Sequence, residues 1–444
     1  MKRFLSCALV CFISLSSAGM VFAKGSGGGG SAASSGGTRN IVFWDMMWGP
    51  AATYTSTAQS LVDKFNADNA ENIRVKLQVI PWDNYYQVFL TAVTSGSAPD
   101  VATGAFAQPT QYADMGEGLP LDPVIDMWKK ENNPILQEIP ENIWNLHMYN
   151  GKHYGLPWNM DTRQILYRTD YFRQAGITKL PTTWAEFEDA CAKLKRTLPA
   201  DTYPLVFPGG GDYNALHAVL TLLVSNDAGV ADRNGQPDFL NPKVTEVMEF
   251  ANRLYTKGYV PEGIAAYKGV DAEKLFQAGK AAMFMHNAMA LTDFPDLDKN
   301  CGVLPPMAGP SAKSAKNYSW VNPIQAFSQT KDPEACYIFI KWWLENLLPL
   351  YTQGGVTALP ARSSFRQNSF FQTNWQKKQI NDLVLPGIVA PTYPADNIYV
   401  PWAIIEGENL PMVALVKSLA PNPNFRAIQQ DIQNQMIEAW KEYK

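Results

Sequence analysis

Five cysteines and four histidines are all that a chain of 444 residues offers to thiol, disulfide and imidazole chemistry. Cys7 and Cys11 fall inside an N-terminal leader, which leaves Cys191, Cys301 and Cys336. An odd number at such wide spacing is no disulfide scaffold. Cys191 and Cys336 lie on apolar helical stripes, where a thiol behaves as a small buried hydrophobe. His147, His153, His217 and His286 share no helix face at metal-ligand spacing. The chain has no G-x-S-x-G nucleophile elbow and no G-x-x-x-x-G-K-[ST] phosphate loop. A formal G-x-G-x-x-G at Gly25–Gly30 sits in a Gly/Ser tract with no strand before it, so it marks no dinucleotide site. Basic runs are missing too, and 37 Lys and Arg against 41 Asp and Glu give a net charge of −4. A mildly acidic chain of this kind argues against nucleic acid as a partner.

Long apolar runs are confined to the start. Lys2 and Arg3 precede an apolar stretch from Phe4 to Ala18, and "VFA" at Val21–Ala23 offers small residues for cleavage. Residues 1–23 therefore read as a secretory signal, followed at 24–37 by a flexible Gly/Ser linker, "KGSGGGGSAASSGG". Removing the signal leaves 35 basic and 41 acidic residues, a net charge of −6. No later stretch reaches the roughly 18 apolar residues of a membrane span; "ALHAVLTLLVS" has the length of a core helix. The expectation is an exported, soluble, monomeric protein of the periplasm, with a lipid-anchored form as the alternative.

What is present is strand–helix alternation. Residues 40–44 are strand-like, and Ser56 with Gln59 three later predicts a helix start before Ala58, Leu61, Val62 and Phe65. "IRVKLQVI" alternates apolar and polar residues as a strand does, a helix follows through Tyr86, Phe89, Leu90 and Val93, and "PDVAT" is a short strand. The order implies βαβ units and mainly parallel sheets. Further on, Thr183 and Glu186 predict a capping box before Trp184, Phe187, Cys191 and Leu194. "DAEKLFQAGKAAMFMHN" reads as a helix closed at Gly279 and then a strand. Phe425, Ile428, Ile432, Met436 and Trp440 mark a C-terminal amphipathic helix.

Aromatic residues are plentiful, and five tryptophans stand apart from the apolar stripes. Trp48, Trp82, Trp158, Trp320 and Trp402 sit beside Pro, Gly, Asp or Asn. Indole faces stack on the C–H faces of sugars, and neighbouring Asp, Asn and Arg bond the hydroxyls. Any single Trp could equally be core; five together point to a carbohydrate cleft. The loop "PGGGDYN" at 208–214, with Asp212, could bring backbone to a ligand or be a plain loop.

Longer stretches carry a family likeness. "VIPWDNYYQVFLTAVTSGSAPDV" resembles the N-lobe signature of family 1 extracellular solute-binding proteins of sugar importers, the maltose-binding-protein-like group. "GKHYGLPWNMDTRQILYRTDYFRQAGITKLPTTWAEF" resembles their crossover and first C-lobe helix; "LFQAGKAAMFMHNAMA", "SWVNP" and "GGVTALPARSSF" resemble later landmarks, in order. The resemblance covers about residues 40–444. It implies an α/β, two-lobed periplasmic-binding-protein fold of type II, with three crossovers, a ligand in the interlobe cleft, and delivery to the permease subunits of an ATP-driven importer. It implies no catalysis and no cofactor or metal. The N-lobe is expected at 38–157 and 288–355, the C-lobe at 158–287 and 356–444. Many sugar-binding members carry a carboxylate soon after the "PDV" strand; "ATGAFAQ" has none, which leaves the ligand's identity open.

On that alignment Trp48 is expected as a sugar platform with Asp45 beside it, since ligands collect at the C-terminal ends of parallel strands. Trp158 and Asp161 would reach the ligand from the first crossover, with Arg163 donating to it or bracing the loop. The alternative is that Asp161 and Arg163 only pair with each other. Asn287 would add an amide, Trp320 a second platform and Arg362 a fork of donors; the alternative makes Trp320 core and Arg362 a surface ion pair. The expected ligand is a neutral mono- or oligosaccharide. The rival from another class is a secreted glycoside hydrolase, which needs two opposed carboxylates; a third is a structural or adhesive surface protein.

Overall fold

The chain builds two sheets and passes between them at the ends of strands. The computed structural model describes residues 37–210, 212, 214–287, 294–395 and 397–441; the signal and all of the linker but its last residue lie outside the described residues. The strands in order are β1 (Arg39–Met46), β2 (Ile73–Ile80), β3 (Val101–Thr103), a short hairpin β4–β5 (Met148–Tyr149, Lys152–His153), β6 (Gly155–Thr162), β7 (Gln164–Arg168), β8 (Tyr203–Val206), β9 (Ala281–His286), β10 (Cys301–Val303), β11 (Asn317–Ala326), β12 (Leu359–Pro360) and β13 (Ile388–Val389). The first sheet has the order β12-β6-β11-β3-β1-β2, with β13 paired to β11; the second runs β10-β7-β9-β8.

The two-lobed α/β class stands, but both sheets are mixed. β1 pairs in parallel with β2 and β3, and β8 with β9. β11 runs antiparallel to β3 and β6, and β7 antiparallel to β9 and β10. The physical reason is the connectivity: a strand that arrives from the other lobe returns through the sheet without a covering helix, and antiparallel pairing needs none. Strand membership places the first passage at Arg163 and the second between Val303 and Asn317, where sequence reading put them near 157–158 and 287–288.

Local signals explain the elements. In β2, Ile73 and Val75 are buried while Arg74 and Lys76 face solvent. Helix α1 (Ala51–Asp68) starts five residues before the predicted Ser56 cap, with Pro50 at its N-cap. Tyr54 is the reason: it extends the buried face one turn upstream of Ala58, and Pro supplies the extended entry. α2 (Tyr85–Thr94) and α3 (Gln108–Asp114) complete the C-terminal side of the first sheet. In the helix Trp184–Thr197, Thr183 Oγ1 accepts from Glu186 N as predicted, while the Glu186 carboxylate accepts from Thr182 N and Oγ1.

The core of the first lobe closes around Phe43, fully buried and edge-on to Phe339 at 5.0 Å and Trp343 at 4.9 Å. Both partners come from the helix Pro333–Asn346, laid over the sheet with Cys336 buried on its inner face. Cys191, Cys301 and Cys336 are all free and buried. In the loop at 208–210, a Cβ on Gly209 would meet Ile264 O at 1.9 Å and one on Gly210 would meet Ala265 O at 2.2 Å. These glycines serve close backbone packing, the plain-loop alternative. Among the described residues no helix is long and apolar enough to cross a membrane.

Phe43→Ala removes the ring on which Phe339 and Trp343 close. Deleting a fully buried Phe destabilises by roughly 3–5 kcal/mol. Urea unfolding followed by tryptophan fluorescence should show the midpoint fall with the slope unchanged.

Candidate functional site

Parallel strands leave their C-terminal ends on one edge, and there the first lobe gathers aromatic side chains. Trp48 follows β1; Trp82 precedes α2. Trp48 stands edge-on to Trp82, at 4.8 Å and 81°, and to Trp158 of β6, at 5.0 Å and 83°. Trp82 Nε1 donates to Met47 O at 2.8 Å, and Trp158 continues to Tyr351 at 6.0 Å. Trp158 is buried, Trp48 half-buried, and Trp82 36 % exposed, so the group runs from core to rim.

Asp45 is beside Trp48 but fully buried. Its Oδ2 accepts from Tyr54 Oη at 2.7 Å and its Oδ1 from Thr103 Oγ1 at 2.6 Å. Thr103 Oγ1 in turn accepts from Met46 N at 2.9 Å and from Trp48 Nε1 at 3.0 Å. Burial pushes the Asp45 carboxyl up to about 7, against the pull of these donors. Asp45 thus stands one shell behind the indole.

The antiparallel pair β6–β11 supplies a second wall. Trp320 lies opposite Asp161 and Asn322 opposite Asn159, so these four side chains share a face. Asn322 Nδ2 donates to Asn159 Oδ1 at 2.8 Å. Arg163 Nη1 pairs with Asp161 Oδ1 at 2.7 Å, and its Nη2 donates to His217 Nε2 at 3.2 Å. Burial, then the Arg163 charge, holds His217 well below the ordinary imidazole range and pushes His286 down to about 3. Both rings are therefore neutral near pH 7. His286 Nδ1 lies 2.5 Å from Asn287 Oδ1 and its Nε2 lies 3.0 Å from Asn214 Oδ1. A neutral imidazole has one N–H, so one of these amides presents its NH2 group instead.

Trp320 touches both lobes. Its ring lies 5.8 Å from Phe106, 5.8 Å from His217 and 6.3 Å from Trp402. The five tryptophans thus fall into two ring-contact groups, Trp48 with Trp82 and Trp158, and Trp320 with Trp402.

Two candidates are placed elsewhere. Asp212 Oδ1 accepts from Asn214 N at 2.9 Å and its Oδ2 from Gly269 N at 3.1 Å, which ties the loop to the starts of two helices. Arg362 Nε donates to Glu138 Oε2 at 2.6 Å, its Nη1 to Leu344 O at 3.3 Å, and the guanidinium lies 4.1 Å from the Phe365 ring centre. That is the ion-pair alternative: the fork of donors is directed into its own lobe.

Other polar residues of the cleft escaped the sequence reading. Tyr85, Tyr86, Gln108 and Gln111 face Ala403 and Glu406 of the helix Trp402–Glu408 around a void of about 10 Å³. Tyr85 Oη reaches Glu406 Oε1 at 3.5 Å, and Gln111 Nε2 donates to Tyr86 Oη at 2.8 Å. The signal was there in the spacing: Glu406 follows Trp402 by four, and Gln108 and Gln111 share one helix face. A groove of about 670 Å³ lined by Tyr203, Tyr255 and Pro421 lies on the second lobe, and none of these cleft residues lines it.

Residues 51–347 match the family model of the bacterial extracellular solute-binding protein. The chain is similar to a diacetylchitobiose binding protein of Streptomyces coelicolor, 20% identical, covering 85% of this chain and 87% of the relative. Its fold is similar to that of a sugar transporter from Arthrobacter chlorophenolicus with bound laminaribiose, at TM-score 0.78 and 23% identity, covering 90% of this chain and 99% of that one. The sugar-binding protein MalE of Xanthomonas citri is also similar, at TM-score 0.74 and 21% identity, covering 91% and 98%.

Asp45 makes stability depend on pH. Its folded value near 7 lies above the unfolded 3.8, so the folded state binds more protons in that window. Raising pH from about 4 to about 7 removes up to roughly 4 kcal/mol of stability through this one group. Asp45→Asn should flatten that slope in urea midpoints measured across the window, and parallel curves for both proteins would contradict it.

Proposed function

The chain belongs to the family of bacterial extracellular solute-binding proteins, and on that premise we propose that it captures a neutral carbohydrate between its lobes and hands it to an ATP-driven importer. The observation that carries the reading is Trp48: a half-exposed indole at the end of a parallel strand, flanked edge-on by two further indoles. Such a face suits the C–H face of a pyranose. The polar groups around it support a ligand without charge. Asp161 and Arg163 neutralise each other, and His217 and His286 are held neutral. What the walls offer is hydroxyl, amide and carboxylate chemistry of the kind that hydroxyl groups meet.

In this reading Trp48 and Trp82 are the platform, Asp161 accepts from hydroxyls while braced by Arg163, and Trp320 closes on the ligand from the passage between lobes. Asn287 adds an amide through its contact with His286. The protein works as an exported monomer in the periplasm, and its partners are the permease subunits. It performs no turnover: Asp45 is sealed in the interior and Asp161 is tied to Arg163, so neither is poised as a glycosidase acid.

A thermal-shift panel of laminaribiose, diacetylchitobiose, maltose and spermidine tests the ligand class. At saturation at least one neutral sugar should raise the melting temperature by about 2 °C or more, and Trp48→Ala should abolish the shift. A response to spermidine alone overturns the reading, and sugar products in the same tubes would favour the hydrolase.

The void of about 10 Å³ between α2, α3 and the helix Trp402–Glu408 is far below the roughly 300 Å³ that even a small ligand site needs. Ligand entry therefore requires the lobes to part, and closure on the sugar is the state the importer meets. Small-angle scattering should give a smaller radius of gyration at saturating sugar than without it. Equal radii at confirmed saturation would exclude closure.

A further inference from the structure

We propose that Thr103 and Asp45 are positioning residues for Trp48, a buried hydroxyl–carboxylate relay that sets the plane of the indole before any ligand arrives. The proposal rests on the carbohydrate reading and adds the reason for its affinity.

A hydroxyl has one proton and two lone pairs. At Thr103 all three are committed: Oγ1 accepts from Met46 N and Trp48 Nε1 and donates to Asp45 Oδ1. The rotor therefore has one orientation, and the indole N–H has one place to point. Asp45 is clamped from its other side by Tyr54 Oη, from the first turn of α1. Asp45, Thr103 and Tyr54 are each fully buried, whereas Trp48 is on a short exposed connection between β1 and α1. A rigid strand end and a rigid helix start thus hold a side chain that the loop itself does not hold. The rotamer freedom that a loop tryptophan would lose on binding is removed in advance.

The residue types follow from this geometry. An aspartate accepts at both oxygens; an asparagine would turn an NH2 group towards either Thr103 or Tyr54. Facing Thr103 it would meet a hydroxyl whose lone pairs are already taken. Valine at 103 keeps the shape and deletes the relay, and serine keeps the relay.

The test uses the full-length secreted protein with ¹⁵N-labelled tryptophan, the Trp48 indole signal being assigned by its loss in Trp48→Phe. In the sugar-free protein, Thr103→Val should speed exchange of the Trp48 indole proton about tenfold or more, and Thr103→Ser should restore it. Whichever of laminaribiose, diacetylchitobiose or maltose the wild type binds, Thr103→Val should weaken that binding about fivefold. The same change in the Trp48→Phe background, where no indole N–H exists, should weaken it less than about twofold. Unchanged exchange in Thr103→Val overturns the relay whether or not a sugar binds. Equal losses in both backgrounds overturn the positioning role. Failure of the wild type to bind any of these sugars overturns the carbohydrate reading, and the exchange measurement then decides the relay by itself.

Discussion

Everything in the cleft hangs from the pairing of β6 with β11. These strands run antiparallel from Ser319 opposite Thr162 to Gln325 opposite Gly155, and each ends where the chain leaves one lobe for the other. Their register decides which side chains face the cleft, because a slip of one residue exchanges the two faces of a strand. Asn159 and Asn322, paired by a buried hydrogen bond, hold that register: a slip would strand both amides in an apolar layer without partners. With the register held, Trp320 and Asp161 face one way and Trp158 the other, towards Trp48. Arg163 follows directly, so its ion pair with Asp161 sits at the passage itself.

Much of this was legible in the sequence because it is local. The Thr183 cap, the alternation of β2 and the stripe of Cys191 and Leu194 each depend on neighbours a few residues away. Trp48 was legible because a tryptophan beside Gly and Pro at a strand end is out of place in a core pattern. What failed depends on distant partners. Arg362 looks like a donor until Glu138, far away in sequence, takes its Nε. Asp45 looks like a ligand acceptor until Tyr54 and Thr103 occupy both oxygens. Glu406 and Gln111 become cleft residues only when the helix Trp402–Glu408 folds back over α2 and α3. The helix start was misplaced for a subtler reason: Ser56 and Gln59 match a cap in type and spacing, yet burial of Tyr54 decides where the helix begins.

The electrostatics of the cleft follow from crowding as much as from composition. Arg163 is buried with only its own Asp161 as counter-charge among the printed ion pairs, and its field reaches His217 and His286. Two imidazoles that would titrate near neutrality in water are kept neutral, so the second lobe offers hydrogen-bonding groups without a charge that switches over the physiological range. A cationic or anionic ligand would disturb this balance; a neutral one would not.

The lobes already touch through Trp320 with Trp402 and through Tyr85 with Glu406, and that sets the terms for binding. A ligand that enters must break these contacts and replace them with its own, so affinity measures a difference between two closed forms rather than a sum of new contacts. The aromatic pair Trp320–Trp402 is apolar and non-directional; a sugar face can substitute for either ring. The Tyr85–Glu406 contact is polar and long at 3.5 Å, so a hydroxyl placed between the two oxygens improves on it. The existing contacts thus favour ligands with an apolar face and a polar edge, and a purely apolar or purely ionic solute could replace one of them but not both.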